Sequence, residues 1–349
     1  MSFMSKLTAT GVLVLTLAAG LISRAAPRRD ATLFSESRQA MGTTFELHLY
    51  AADEVRAKEL FEAAFDEIER VETALSNYRP SSELSRINSQ AASAPVTTDP
   101  EVFGLLERAF WYSRRSDGAF DMTVGRLMKA WGFFRGSGRL PSDEELARVR
   151  EQTGWRRVHL DPARRSVRFL APGLELDPGG IGKGYALDRV ATLLRENGVR
   201  AALLTSGSSS IYALGAPPGK PGWTVRVPDP LDRARTLSQV VLKDQSLSTS
   251  GNYEKFFRVG GRIYCHIMDP RTGRPVEGVL QTTVIAPEAT DSDALSTTVF
   301  VLGPERGARV LAEVPGSAGL VVTDKSGAGR VVEIRWPGAR VGNQGVTDE

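Results

Sequence analysis

The chain has 349 residues, 41% hydrophobic and 24% charged, with a formal net charge of +3. That balance suits one large or two small folded domains with a sizeable core. The basic residues are spread along the chain, so no nucleic-acid-binding stripe is implied. The single cysteine, Cys265, rules out an intrachain disulfide and argues against a cysteine-based metal site.

At the N-terminus, Lys6 precedes an uncharged, largely apolar run from Leu7 to Ser23, then Arg24 and the small residues Ala25 and Ala26. This order reads as a secretory signal peptide. The run also approaches the length that spans a bilayer, so residues 1–26 are either a cleaved signal or an uncleaved membrane anchor. Either way the body of the protein is expected outside the cytoplasm, in the periplasm. No cysteine accompanies the segment, so a lipoprotein is not expected.

Alternation predicts a strand over Met41–Tyr50. Phe61, Phe65, Ile68, Val71 and Leu75 recur at helical spacing between Asp53 and Leu75. Ser76–Ala94 is polar and loop-like, although Ser81–Asn88 could open a short helix through a capping box. Helices are predicted over Glu101–Ser116 and, with Ser142 as N-cap, over Ser142–Gln152. Gly118–Val124 reads as a tight loop entering a short buried segment. After a strand at Ser166–Leu170, a glycine-rich run opens a helix over Tyr185–Asn197, which Gly198 ends. Strands are expected at Ala201–Thr205, Trp223–Val227, Leu237–Leu242, Glu254–Val259 and Gln281–Ala286, with a long turn at Ala216–Gly222. Helices over Ser292–Leu302 and Pro304–Glu313 follow, and Val321 and Val332 mark closing strands. Helices and strands do not alternate regularly, which argues for an α+β architecture. One domain over residues 33–338 and a loosely ordered tail over 339–349 are expected.

Three segments carry chemistry. In Glu175–Gly184 the glycines resemble a nucleotide loop, but Asp177 stands where a P-loop needs its first glycine, Gly184 follows Lys183, and Tyr185 replaces the third glycine of a dinucleotide fingerprint. Successive glycines before a helix still let backbone N–H groups approach an anion, with Lys183 adding charge. The alternative is a structural turn. Asp293 and Thr297 lie four residues apart and face the same side of a helix. A carboxylate and a hydroxyl so placed suit Mg²⁺, or serve as a cap and a helix-facing hydroxyl. Tyr264–Gly273 ends a strand in a turn and contains His266, either a reactive or a structural histidine.

Together these segments resemble the ApbE family, the FAD:protein FMN transferases. The resemblance rests on pieces in family order: Met41–Thr43, Ser76–Tyr78 with Ser82–Asn88, Gly118–Asp121, Leu176–Asp188, Ser248–Glu254, His266–Pro275 and Asp293–Thr297. It implies an ApbE-like, T-fold-like α+β fold of mixed and antiparallel sheets packed with helices. It implies that Met41 and Tyr78 sandwich a flavin and that Ala119, Phe120 and Asp121 line its pocket. Asp177, Lys183 and Met268 would sit by FAD. The Gly180 carbonyl, Asp293 and Thr297 would bind Mg²⁺, and His266 would be the catalytic base. The implied reaction splits FAD, moves FMN to a Ser or Thr of an extracytoplasmic protein, typically a subunit of a membrane redox complex, and releases AMP. If water attacks instead, the site is an FAD pyrophosphatase; without turnover it would be a flavin-binding protein. Two features depart from the family's pattern: Thr205–Ser210 replaces an Asn-x-Gly-Gly type turn, and Gly182 stands where an Ala is common.

Overall fold

The computed structural model describes residues 31–134, 136, 138–324 and 329–341. The signal or anchor segment, and most of the expected tail, therefore lie outside the described residues.

The chain opens on a hairpin of β1 (Thr32–Ala40) and β2 (Thr43–Ala51). In β2, Phe45, Leu47 and Leu49 are buried and alternate with solvent-facing residues, the period of a half-buried strand. The strand expected over Met41–Tyr50 thus starts later, and β1 was not anticipated. Met41 and Gly42 form the turn, both with positive φ (49° and 73°). A two-residue hairpin loop with both φ positive matches the right-handed twist of the strands it joins.

Next come α1 (Glu54–Leu75), capped by Asp53, and α2 (Glu83–Gln90), capped by Ser82, whose Oγ accepts the Ser85 N–H. The stretch expected as a loop over Ser76–Ala94 therefore contains a helix, as the alternative capping reading allowed. Helices α3 (Pro100–Arg115), α4 (Gly125–Ala130) and α5 (Asp143–Glu151) follow. A small sheet of Val96–Thr97, Val158–Asp161 and Ser166–Phe169 covers this region. Helix α6 (Gly182–Glu196) begins three residues before the expected Tyr185, because the backbone coils as soon as it leaves the Pro178 turn.

The main sheet continues through β3 (Ala201–Ser206), β4 (Ser210–Gly215), β5 (Gln245–Gly251), β6 (Val279–Ala286), β7 (Ala318–Thr323) and β8 (Arg330–Ile334). All eight strands are antiparallel and neighbour one another in chain order. Between β6 and β7 runs α7 (Ala289–Ala312), interrupted at Gly303 (φ 75°) just before Pro304, where the sequence predicted a break between two helices.

Helices α1, α6 and α7 cover one face of this sheet, and the main core lies there around Phe45, Leu187, Val190, Leu204, Leu295 and Phe300. The other face packs Ala213, Leu247, Ile285 and Leu320 against Trp223, Val225 and Val240 of a second sheet. That sheet holds Trp223–Pro228, Thr236–Leu242 and Ala339–Arg340. Ala339 and Arg340 pair with Gln239 and Ser238, so order continues past Gly338 into what the sequence suggested was a loose tail. The result is an α+β fold of antiparallel sheets. Among the described residues no helix is long and apolar enough to cross a membrane.

Candidate active site

The contact between α6 and α7 sets the site. Gly184 lies so close to α7 that a Cβ there would collide with the Ala289 carbonyl and with Cβ of Asp293. Asp188, one turn further along α6, reaches across to the N-terminus of α7. Its carboxylate accepts the backbone N–H groups of Ala289 (2.7 Å) and Thr290 (2.7 Å) and the Thr290 hydroxyl (2.5 Å). These donors would otherwise be unsatisfied at a helix start. Burial pushes the Asp188 carboxyl up to about 6, against the donors that hold it down. Asp291 is tied away from the cavity, to Arg108 through both oxygens and to the Tyr112 hydroxyl. The helix is thereby fixed in rotation.

Asp293 is consequently buried, with Oδ2 accepting the Gly184 N–H (3.0 Å) and Oδ1 facing the Ser210 hydroxyl (3.3 Å). It joins no ion pair among the described residues. The Gly184 N–H is spent on Asp293 instead of on the carbonyl four residues back, and no hydrogen bond to the Gly180 carbonyl is present among the described residues. A Cβ placed on Gly180 would lie 3.4 Å from Oγ1 of Thr297. Between Ala289 and Phe300, Thr297 is the one residue that is not fully buried. A buried carboxylate without a cation, an unbonded carbonyl and a hydroxyl thus converge. Such hard oxygen donors fit Mg²⁺. Among the described residues no three His, Cys, Asp or Glu side chains are placed to hold a metal ion together, so a zinc-type ligand set is not offered.

His266 follows the hairpin strand Arg262–Cys265. Its Nδ1 lies 3.2 Å from the Lys255 carbonyl. Burial, and next the charge of Lys183, push its pKa down to about 4, so the ring is neutral near pH 7. With Nδ1 donating to Lys255, Nε2 keeps a free lone pair. Lys183 itself extends from the first turn of α6, Nζ 3.5 Å from the Gly179 carbonyl. Asp177 Oδ1 accepts the Gly179 N–H (2.8 Å), which shapes the turn before the helix. Burial raises the Asp177 carboxyl above the usual range.

The opposite end of the cavity is apolar. Glu72 accepts the Met41 N–H (2.8 Å) and holds the left-handed turn there. Tyr78 is 52% exposed, and its ring stacks on Phe134 with centroids 4.4 Å apart and planes 6° from parallel. Ala119 and Phe120 are buried behind Gly118, and Met268 is buried against Trp131. Asp121 behaves differently from its neighbours. Oδ1 accepts from the Thr123 N–H and hydroxyl and Oδ2 from the Trp155 N–H, and burial raises its pKa to about 6. Its carboxylate builds the loop, although the residue lines the cavity.

Every residue singled out from the sequence borders one cavity of about 670 Å³: Met41, Tyr78, Ala119, Phe120, Asp121, Asp177, Gly180, Lys183, His266, Met268, Asp293 and Thr297. Sequence reasoning missed Glu72, Phe134, Ser209 and Lys255, which also line it. It also gave Asp188 and Ser210 no role. Only position in the folded chain reveals these, since a carboxylate that caps a helix a hundred residues away leaves no local pattern.

The ApbE family model matches residues 41–321. The FAD:protein FMN transferase of Treponema pallidum is 34% identical over 88% of this chain and 90% of its own. That of Escherichia coli K12 is 31% identical over 78% of this chain and 79% of its own. Among solved structures, the ApbE protein of Thermotoga maritima superposes with a TM-score of 0.78 at 31% identity, covering 87% of this chain and 97% of that one. The flavinyl transferase ApbE of Pseudomonas stutzeri, in its apo form, gives 0.77 at 29% identity, covering 87% and 95%. The family model spans most of the chain, the relatives align over most of its length and the fold superposes on theirs, and the chain belongs to the ApbE family.

Proposed function

We propose that this protein is an FAD:protein FMN transferase that works outside the cytoplasm, in the periplasm, and uses Mg²⁺. The observation that carries the reading is the convergence of the flavin-type apolar wall, the α6 N-terminus, His266 and the Asp293–Thr297 pair on one cavity. Its volume lies within the range of sites that enclose small molecules and cofactors.

FAD lies with its flavin ring between Met41 and Tyr78 and its pyrophosphate over the start of α6. There the helix N-terminus and Lys183 favour negative charge. The Gly180 carbonyl, Asp293 and Thr297 would hold Mg²⁺, which when bound would supply charge neutralisation at the pyrophosphate oxygens. Asp188 and Gly184 hold those ligands in place. His266 enters neutral and takes a proton at Nε2 from the attacking hydroxyl, while Lys255 fixes the ring through Nδ1. The hydroxyl oxygen bonds to the FMN phosphorus and the bond to the AMP oxygen breaks. FMN leaves as a phosphoester on a Ser or Thr of the acceptor, an extracytoplasmic subunit of a membrane redox complex, and AMP is released.

The test is incubation of the purified protein with FAD, Mg²⁺ and extracytoplasmic membrane proteins of the host. A fluorescent acceptor band that survives denaturing electrophoresis, with AMP in equal amount, is expected. AMP and free FMN without a labelled band would make the protein a pyrophosphatase, and intact bound FAD would make it a carrier.

A further inference from the structure

Helix α4 ends in a turn whose side chains reach both the flavin wall and the histidine. Gly132 takes the left-handed conformation (φ 74°) just after the helix. Its N–H donates to the Lys129 carbonyl (3.0 Å), and the Phe133 N–H donates to the Met128 carbonyl (2.8 Å). This pair of bonds closes a helix at a glycine and fixes the direction in which the chain leaves. Trp131 pins the turn from within. Its ring is buried, and its indole N–H donates to the Gly273 carbonyl (2.9 Å) in the segment that follows His266.

The next two side chains leave this turn for different partners, and both border the cavity. The Phe133 ring meets the His266 ring with centroids 6.4 Å apart and planes at 65°, and packs against Phe257 with 5.5 Å between centroids. The Phe134 ring stacks on Tyr78, and its carbonyl accepts the Tyr78 hydroxyl (2.7 Å). That hydroxyl bond lies at the surface, where water competes for it, so the stack does most of the holding. The Lys129 ammonium, paired with Glu175, lies 4.6 Å from the centre of the Phe134 ring. A parallel ring 4.4 Å away leaves no room for it on the Tyr78 side, so it occupies the opposite face, a favourable place for a cation. Both faces of Phe134 are thus filled, and its ring acts on a flavin through Tyr78.

We infer that consecutive residues of this one turn position the two participants in the reaction: Phe134 is a positioning residue for the flavin, through Tyr78, and Phe133 for the proton acceptor, through His266. The inference rests on the function proposed above. Gly132 and Trp131 fix the turn, so the chain itself sets the spacing between the flavin stack and the base. Ring-on-ring contacts contribute beyond the area they bury. An aliphatic side chain of similar size should therefore replace neither phenylalanine.

Phe134→Leu and Phe133→Leu test this through FMN affinity, AMP affinity and the kcat of AMP release from FAD with Mg²⁺. Phe134→Leu should weaken FMN about threefold to tenfold, with AMP affinity unchanged and kcat nearly kept. Phe134→Tyr, which restores a ring, should recover FMN affinity. Phe133→Leu should leave both affinities unchanged and lower kcat about tenfold, since a small misplacement of a reacting group is costly. A structural role alone would weaken both ligands together. That result overturns the inference, as does wild-type FMN affinity in Phe134→Leu or wild-type kcat in Phe133→Leu, and each leaves the proposed function standing. Weakened AMP with FMN affinity kept in Phe134→Leu would instead put the adenosine half at Tyr78. The flavin placement in the proposed function would then fall together with the inference.

Discussion

The two ends of the cavity are held by different forces. At the α6–α7 end, Asp188, Gly184, Asp291 and Asp293 are locked by short polar contacts inside the core, and the helices touch backbone to side chain. At the other end, Tyr78 and Phe134 rest on each other near the surface. On the proposed function, the difference follows from what each end would have to do. A small cation and a developing charge need oxygen atoms placed within a fraction of an ångström, which a buried network supplies. A flat ring needs area and contact, which soft apolar side chains provide with wider tolerance.

The comparison breaks most visibly at Gly184. Gly184→Ala must part the helices or displace Asp293, and overpacking of this kind costs about 1–3 kcal/mol. AMP release should fall more than about 100-fold, since a small misplacement of reacting groups can cost that much. Denaturant titration and steady-state kinetics would show both, and near-normal turnover would mean that the close contact is not needed.

Removing the proposed base comes next. His266→Ala should lower transfer by about 10²–10⁴-fold while FAD affinity stays close to wild type. The pH dependence has a definite sign. His266 titrates in the folded protein at about 4, below its ordinary 6.5, because burial and then Lys183 oppose its charge. Activity of the free enzyme should therefore hold from neutral pH down towards 4 as far as this group is concerned. The unfolded chain binds this proton first as pH falls, so stability drawn from the neutral ring is complete above 6.5 and is lost progressively below it. A kcat/KM profile with its acid limb centred at 6.5 would show that the ring is not desolvated.

Asp188→Ala leaves two backbone N–H groups and a hydroxyl without their acceptor. A loss of about 1–3 kcal/mol is expected, and the Mg²⁺ concentration for half-maximal turnover should rise. Thermal unfolding and a Mg²⁺ titration would separate these effects. The smallest change is expected at the soft end: Tyr78→Ala should weaken FAD by about 0.5–1.5 kcal/mol with kcat nearly kept, and Tyr78→Phe should bind almost normally. Equilibrium titration of flavin fluorescence would decide, and a collapse of kcat in Tyr78→Phe would show that the hydroxyl has a chemical task.

Most of this was legible in the sequence where local rules dominate. The α1 stripe, the Ser142 cap, the Gly198 stop and the break before Pro304 are short-range signals, and each appears in the fold. The hairpin strand β1 was missed because its side chains are largely exposed and carry little hydrophobic contrast. Cavity-lining residues were legible through the motifs, but what each side chain does there was only partly so. Asp121 was read as pocket lining and does border the cavity, while its carboxylate also accepts from Thr123 and Trp155, which no local pattern showed. The glycine run suggested either an anion-approaching loop or a structural turn, and within it Gly184 also answers to the bulk of α7. Asp188 and Ser210 act across long sequence separations, which no spacing rule encodes.

The Mg²⁺ dependence of AMP release from FAD, compared between wild type and Asp293→Ala, tests the central claim most directly. Wild-type release is expected to rise with Mg²⁺ to saturation and to stop with a chelator, whereas Asp293→Ala is expected to release no AMP at any Mg²⁺ concentration yet still bind FAD. Saturable, Mg²⁺-dependent release by the variant at the wild-type rate would contradict it.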